Sequence, residues 1–185
     1  MWKRATIVLL LFTIGVAVPV SPAAAQAETA AVSQGQAGPV EAPRSQATSF
    51  RIRNNWSKLY LQNSGSISSG VDVSQHPRNT NGYQEFQEVV DGQYRSFMHV
   101  KSGLNLGINR GNPLPGAKAI LANGSGAFNQ DWLVVTRSGY IVELRNRNSG
   151  LCLGIYDAST AVGAVAAQFA CDGGANQGWQ KIYVV

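Results

Sequence analysis

The chain has 185 residues, 15 of them Lys or Arg and 10 Asp or Glu, for a net charge of +5, with two cysteines and two histidines. The basic residues are scattered and never run together, which argues against the clustered patch that nucleic-acid binding needs. His76 and His99 stand far apart and outside any catalytic motif, and Cys152 and Cys171 have no histidine near them, so neither a nucleophile–base set nor a zinc site is indicated.

The chain opens Met1-Trp2-Lys3-Arg4, runs apolar over residues 5–20, and continues through Pro19 and Pro22 to Ala23-Ala24-Ala25. A positive start, a short apolar run and an A-x-A-like site read as a secretory signal peptide at residues 1–25, with Ala25 or Ala27 as the last residue removed. The apolar run is at the short edge of what spans a bilayer, and no other segment is apolar enough, so no membrane partner is expected after cleavage. Loss of Lys3 and Arg4 lowers the net charge to +3. Residues 26–48 are rich in Ala, Gln, Ser, Pro and Gly and hold no aromatic residue. Such a stretch buries too little apolar area to offset its ordering entropy and reads as a flexible tether. Residues 49–185 remain as one domain, long enough to bury a core. In an exported chain Cys152 and Cys171 are expected to form a disulfide, closing a loop of about 20 residues.

Within the domain, residues 50–53, 94–100 and 140–144 carry the alternation and aromatic content of strands. Residues 117–121 and 164–169 are weaker strands, and 132–135 and 179–185 strong ones. Leu59 and Leu61, Leu104 and Leu106, and Leu151 and Leu153 form Leu-x-Leu triplets whose leucines share one face. Turn formers separate these segments: Pro115-Gly116, Asn123-Gly124-Ser125-Gly126 and Asp172-Gly173-Gly174. Three motifs recur at a nearly fixed step: Gln84-Glu85-Phe86, Gln130-Asp131-Trp132 and Gln177-Gly178-Trp179, spaced 46 and 47 residues apart. Gly70, Gly116 and Gly163 each precede their Gln by 14 residues. A period of this size means one structural unit built three times. The units span about residues 50–93, 94–139 and 140–185. Four strands in each predict about twelve, as a barrel or sandwich. The glycines and β-branched residues exclude a helical repeat.

The third unit carries Cys152-Leu153-Gly154, Gly163-Ala164-Val165, Gln168-Phe169-Ala170-Cys171 and Ala175-Asn176-Gln177-Gly178-Trp179 in that order. With the Gln-x-aromatic repeat, this resembles the ricin B-type lectin domain over residues 50–185. The resemblance implies an all-β fold, a β-trefoil of three four-stranded repeats with pseudo-threefold symmetry. It also implies a carbohydrate partner, glycan or polysaccharide, and no cofactor. The motif aromatics Phe86, Trp132 and Trp179 recur at the same strand start, the pattern of a symmetric core, and Gln84 and Gln130 are expected to tie their amides to turns.

The family's sugar pocket combines an Asp two residues after the first Cys, an aromatic platform two before the second Cys, and the Asn preceding the Gln of the motif. The third unit keeps the platform as Phe169 and the amide as Asn176, beside Gln177, but has Gly154 at the Asp position. Asp157, three residues on, is a candidate substitute acceptor, with a plain turn residue as the other reading. The second unit keeps Asn129 but has Gly107 and Ala122, with Asn109 as a polar substitute, and reads as non-binding. The first unit offers a weaker set, Gln62, His76 and Tyr83, in which His76 also reads as a surface residue without a task. Glu85 and Glu88 flank Phe86 as strand-surface residues and do not form the carboxylate pair of a glycosidase. No phosphate loop or metal cluster is recognisable. The expected function is therefore a secreted, non-catalytic carbohydrate-binding module. The alternative is a protein-interaction or structural scaffold that has lost sugar binding. Sequons at Asn55-Trp56-Ser57 and Asn123-Gly124-Ser125 matter only in a pathway that glycosylates.

Overall fold

The computed structural model describes residues 48–184; the leader expected at 1–25 and the tether expected at 26–48, apart from Thr48, lie outside the described residues. Twelve strands follow one another: β1 (Phe50–Asn54), β2 (Tyr60–Asn63), β3 (Val71–His76), β4 (Phe86–Asp91), β5 (Tyr94–His99), β6 (Asn105–Ile108), β7 (Ala119–Ala122), β8 (Trp132–Ser138), β9 (Ile141–Asn146), β10 (Cys152–Ile155), β11 (Ala166–Phe169) and β12 (Trp179–Tyr183). No helix among the described residues is long and apolar enough to cross a membrane.

Strands β1, β4, β5, β8, β9 and β12 pair antiparallel in a closed ring, with β12 returning to β1 over the register Phe50↔Tyr183 to Asn54↔Trp179. A closed barrel leaves its strands without a free edge. The other six strands form three hairpins, β2–β3, β6–β7 and β10–β11. Hairpin meets hairpin through one repeated contact. The amide of Gly70 donates to the Leu121 carbonyl at 2.8 Å, Gly116 to Gln168 at 2.7 Å, and Gly163 back to Gln75 at 2.8 Å. The glycines that mark the sequence period are thus the threefold contact itself. All three have φ between +81° and +91°, a region that side chains with a Cβ rarely enter.

The strands expected at 117–121 and 164–169 begin two residues later. Lys118 and Val165 instead make single bridges to Ala167 and Ser74 of neighbouring units. Tyr140, expected to start a strand, lies in the turn between β8 and β9 and is exposed.

Phe86, Trp132 and Trp179 are fully buried among Leu61, Leu106 and Leu153. The Trp132 indole N–H donates to the Leu106 carbonyl at 3.0 Å and that of Trp179 to Leu153 at 2.9 Å. Each motif glutamine holds the loop after its hairpin. Gln84 Nε2 donates to the Pro77 carbonyl, Gln130 Nε2 to Asn123 and Gln177 Nε2 to Ala170, all at 2.8 Å. Each Oε1 accepts a backbone N–H two residues further on, from Asn79, Ser125 and Asp172. Buried amides satisfied in this way are a scaffold device, repeated once per unit. Glu85 pairs with Arg51 at 2.7 Å, and Glu88 with Lys181 at 2.7 Å and Arg95 at 3.1 Å. Cys152 and Cys171 are joined as a disulfide.

Candidate functional site

In the third unit, β10 and β11 pair from Cys152↔Phe169 to Ile155↔Ala166. Past Ile155 the chain enters a 3-10 turn, Tyr156–Ala158, in which Asp157 (φ +53°) and Ala158 (φ +48°) are left-handed. Such residues cost about 1 kcal/mol each unless the surroundings hold them. Here the Tyr156 amide bonds the Val165 carbonyl at 3.0 Å and the Ser159 amide bonds Tyr156 at 3.1 Å. A second 3-10 turn, Ala175–Gln177, faces the first. Between them lies a shallow hollow of about 260 Å³, lined by Asp157, Ala158, Phe169, Asp172, Asn176 and Gln177, with Ile155 at its base. Asp157, Phe169 and Asn176, selected from sequence positions spread over twenty residues, therefore surround one space.

Gly154 makes that space. A Cβ there would stand 3.0 Å from Gln177 Cγ, 3.3 Å from Phe169 Cδ2 and 3.6 Å from Asn176 Nδ2. A side chain at 154 would press on these lining residues, so the glycine leaves the floor open, and Asp157 borders the hollow from the turn. No hydrogen bond or ion pair among the described residues uses that carboxylate. Phe169 is half-buried, its ring met edge-on by Tyr156 at 5.8 Å. Asn176 Nδ2 donates one long hydrogen bond to the Ile155 carbonyl at 3.4 Å, which holds the amide loosely and leaves its second N–H without an acceptor among the described residues. Gln177 is different: its oxygen and nitrogen both hold the 170–172 loop, and it contributes its methylenes as floor. Asp172, read from the sequence only as a turn former, holds the Gly174 amide at 2.7 Å with one oxygen and also borders the hollow. Its position next to Cys171 is the sequence signal that ties it to this unit's hairpin.

A family model, the ricin-type beta-trefoil lectin domain, matches residues 48–179. The chain belongs to this family. Among solved structures, the designed three-fold symmetric protein ThreeFoil is 28% identical at a TM-score of 0.72, covering 74% of this chain and 99% of that one. An exo-β-1,3-galactanase from Clostridium thermocellum is 25% identical at a TM-score of 0.73; the match covers 76% of this chain but only 31% of that enzyme. The fold is also that of a Macrolepiota procera ricin B-like lectin in complex with lactose, 17% identical at a TM-score of 0.65, with 74% of this chain and 95% of that one covered. Comparison with curated protein sequences gave no match.

The other two units of this lectin domain depart from the third in physical detail. In the second, a Cβ on Gly107 would lie 2.8 Å from Gln130 Cγ, the platform position is Ala122, and Asn129 Nδ2 is committed to the Ile108 carbonyl at 2.8 Å. Arg110 takes the place that Asp157 holds in the third unit, with the same left-handed backbone at φ +52°. In the first unit Gln62 is buried, and its oxygen accepts from Asn79 Nδ2 at 2.7 Å and from Gln84 Nε2 at 3.0 Å. His76 is bonded to Ser74 Oγ at 2.9 Å, while Tyr83 stacks on His99 at 6.2 Å under the Lys101 ammonium. Gln62, His76 and Tyr83 are thus each engaged with other partners of the fold.

His99 carries a consequence for stability. It is fully buried against Phe86 and Tyr83, with Nδ1 at 2.8 Å from Ser102 Oγ. Burial lowers its pKa, Lys101 adds to the lowering, and the Tyr83 backbone and Glu85 oppose it. A histidine lowered on folding stays neutral while the unfolded chain takes up a proton, near pH 6.5, so stability is present above that pH and declines as the pH falls through it. The slope is at most about 1.4 kcal/mol per pH unit. Urea midpoints measured from pH 7.5 to 5 are expected to fall, and His99→Gln to flatten that part of the curve; equal slopes in both proteins would refute it.

Among the described residues, one group of possible metal ligands lies close together: Glu143, Cys152 and Cys171. Both sulfurs are in the disulfide, and Glu143 is held by Arg137 at 2.7 Å and Arg145 at 3.0 Å.

Proposed function

We propose that this chain is a secreted, non-catalytic carbohydrate-binding module whose working site is the hollow of the third unit. The observation that carries this reading is the meeting of a half-exposed aromatic ring, an unengaged carboxylate and a loosely held amide around one space. Phe169 offers its face to the apolar C–H side of a sugar ring, Asp157 accepts from hydroxyls, and Asn176 donates to one. Apolar area with a few placed polar groups is the general form of a small-ligand site. The carboxylate approaches from the turn at 157 and not from 154, so the hydroxyl pattern preferred differs from that of a family member with Asp at the strand position. Family membership supports the carbohydrate class, and the disulfide fits an oxidising compartment. The leader at 1–25 and the tether at 26–48 belong to the same proposal.

A glycan array probed with the mature protein tests it. Binding to a restricted set of neutral glycans is expected, and Phe169→Ala is expected to weaken it by about 2 kcal/mol, or about 30-fold. Absence of binding to every glycan, or an unchanged profile in Phe169→Ala, would reject the reading. The second reading, a protein-interaction scaffold, is favoured by one observation: positions 62, 107 and 154 hold Gln, Gly and Gly, so no unit has a carboxylate at the family's Asp position.

A further inference from the structure

Trp56 is the tryptophan of the domain that lies outside the repeat. Where Trp132 and Trp179 are fully buried, Trp56 is 55% exposed. It sits in the turn after β1, in the first unit, yet that turn is fastened to the third. The Asn55 amide bonds the Gly178 carbonyl at 2.8 Å, and Asn54 Nδ2 bonds the Asn176 carbonyl at 2.8 Å. Asn54 Oδ1 meanwhile accepts the backbone amides of Trp56 and Ser57 at 3.0 and 3.1 Å. The backbone that carries the indole is therefore fixed by backbone and buried amide contacts beside Asn176, which borders the hollow. A small depression lined by Trp56, Ala158, Ala175 and Asn176 joins the two.

On the other side of Trp56 opens a groove of about 1060 Å³, between Trp56, Tyr156, Ser159 and Thr160 of the outer turns and Gly116 and Lys118 of the second unit. Asp157 and Ala158 border both this groove and the hollow. Tyr156 is the divide: it meets Phe169 edge-on on the hollow side, and its Cε2 lies 3.9 Å from where a Gly116 Cβ would be on the groove side. It is 48% exposed. The turn beneath is held firmly, since Gln75 Nε2 of the first unit donates to the carbonyls of Ser159 and Ala161, both at 2.9 Å.

We propose that the binding surface does not end at the Phe169 hollow but runs across the unit boundary. Trp56, with Tyr156, forms a second aromatic platform for the following rings of an extended neutral glycan chain. This rests on the reading of the third-unit hollow as a sugar site. Three features select the occupant. The groove and the hollow share Asp157 and Ala158 along a common border, so a linked ring leaving one lies next to the other. The hollow is smaller than a drug-sized pocket and suits a single ring, whereas the groove is several times larger and suits more than one. The lining offers indole and phenol faces with the hydroxyls of Ser159 and Thr160. Lys118, the cation of the groove, is paired with Asp72 at 2.7 Å, so no unpaired positive charge there selects an acidic chain.

The test uses the mature protein and two ladders of defined probes, β-1,3-galacto-oligosaccharides and β-1,4-xylo-oligosaccharides of one to six rings, titrated by calorimetry. Affinity is expected to rise at least tenfold from one ring to three or four in the ladder that binds, and then level off. Trp56→Ala is expected to remove the rise and leave single-ring affinity within twofold, with an unchanged melting temperature because the side chain is exposed. Phe169→Ala is expected to weaken binding about 30-fold at every length. A second readout needs no substitution. Trp132 and Trp179 are buried, so protection of tryptophan fluorescence from acrylamide by long chains, but not by one ring, reports cover on Trp56. Affinity that does not grow with length, or growth that survives Trp56→Ala, overturns the groove and leaves the hollow standing. No binding in either ladder at any length overturns the groove, while the hollow stands or falls on the glycan array.

Discussion

Replacing Trp179 by alanine is expected to cost the domain about 3–5 kcal/mol, a large share of the 5–15 kcal/mol typical of a whole domain. The side chain is fully buried at the start of β12, the strand that closes the barrel against β1. Its indole N–H also supplies the donor for the buried Leu153 carbonyl in the neighbouring hairpin. Truncation therefore leaves a cavity and removes a hydrogen bond at once. Trp179→Phe separates the two terms, because it keeps most of the area and loses the donor; it is expected to cost about 1–2 kcal/mol. The first unit already has this arrangement, with Phe86 buried at the equivalent place. Urea unfolding measures both variants. A loss under about 1 kcal/mol for Trp179→Ala would contradict the assignment of the motif aromatics to the core.

The second large effect is expected from the disulfide. Cys152 and Cys171 are 19 positions apart, and opening the bridge, by reduction or by Cys152→Ala with Cys171→Ala, should lower stability by about 3 kcal/mol in the chain-entropy model. The loop so released is the one that carries Asp157 and Phe169 and ends beside Asp172, so the site is expected to loosen before the rest of the barrel does. The predicted signature is a lower urea midpoint together with weaker glycan binding in reduced protein under conditions where the barrel remains folded. Reduced protein with the oxidised midpoint and affinity would show that hairpin pairing alone holds this unit.

Much of the fold was legible because the trefoil repeats its contacts at the same step as its residues. Gly70, Gly116 and Gly163 mark the period and also make the hairpin-to-hairpin hydrogen bonds; Gln84, Gln130 and Gln177 mark it and also hold the loops. A residue whose partner lies within its own unit, or at a fixed offset in the next, leaves a periodic trace. The candidate site was legible only in part. Phe169 and Asn176 were selected because they occupy family positions, and Asp157 because it is an acid close to the vacant one. That Gln62 is occupied by Asn79 and Gln84, or that Tyr83 belongs to a stack with His99 and Lys101, leaves no such trace. The family position is filled, and only the neighbours reveal what fills its hydrogen-bonding capacity.

Trp56 shows the limit most clearly. In the sequence it is a lone aromatic in a turn, more than 100 positions from Ala158 and Asn176, and nothing periodic points to it. The sequence alone determined the threefold frame, its buried aromatics and the unit that carries a Phe two residues before its second cysteine, because these depend on spacing and residue type within a repeat. Which side chains share a surface with that platform was decided by tertiary structure alone. Antiparallel pairing of β12 with β1 closes the barrel and brings the first turn of the domain against its last one.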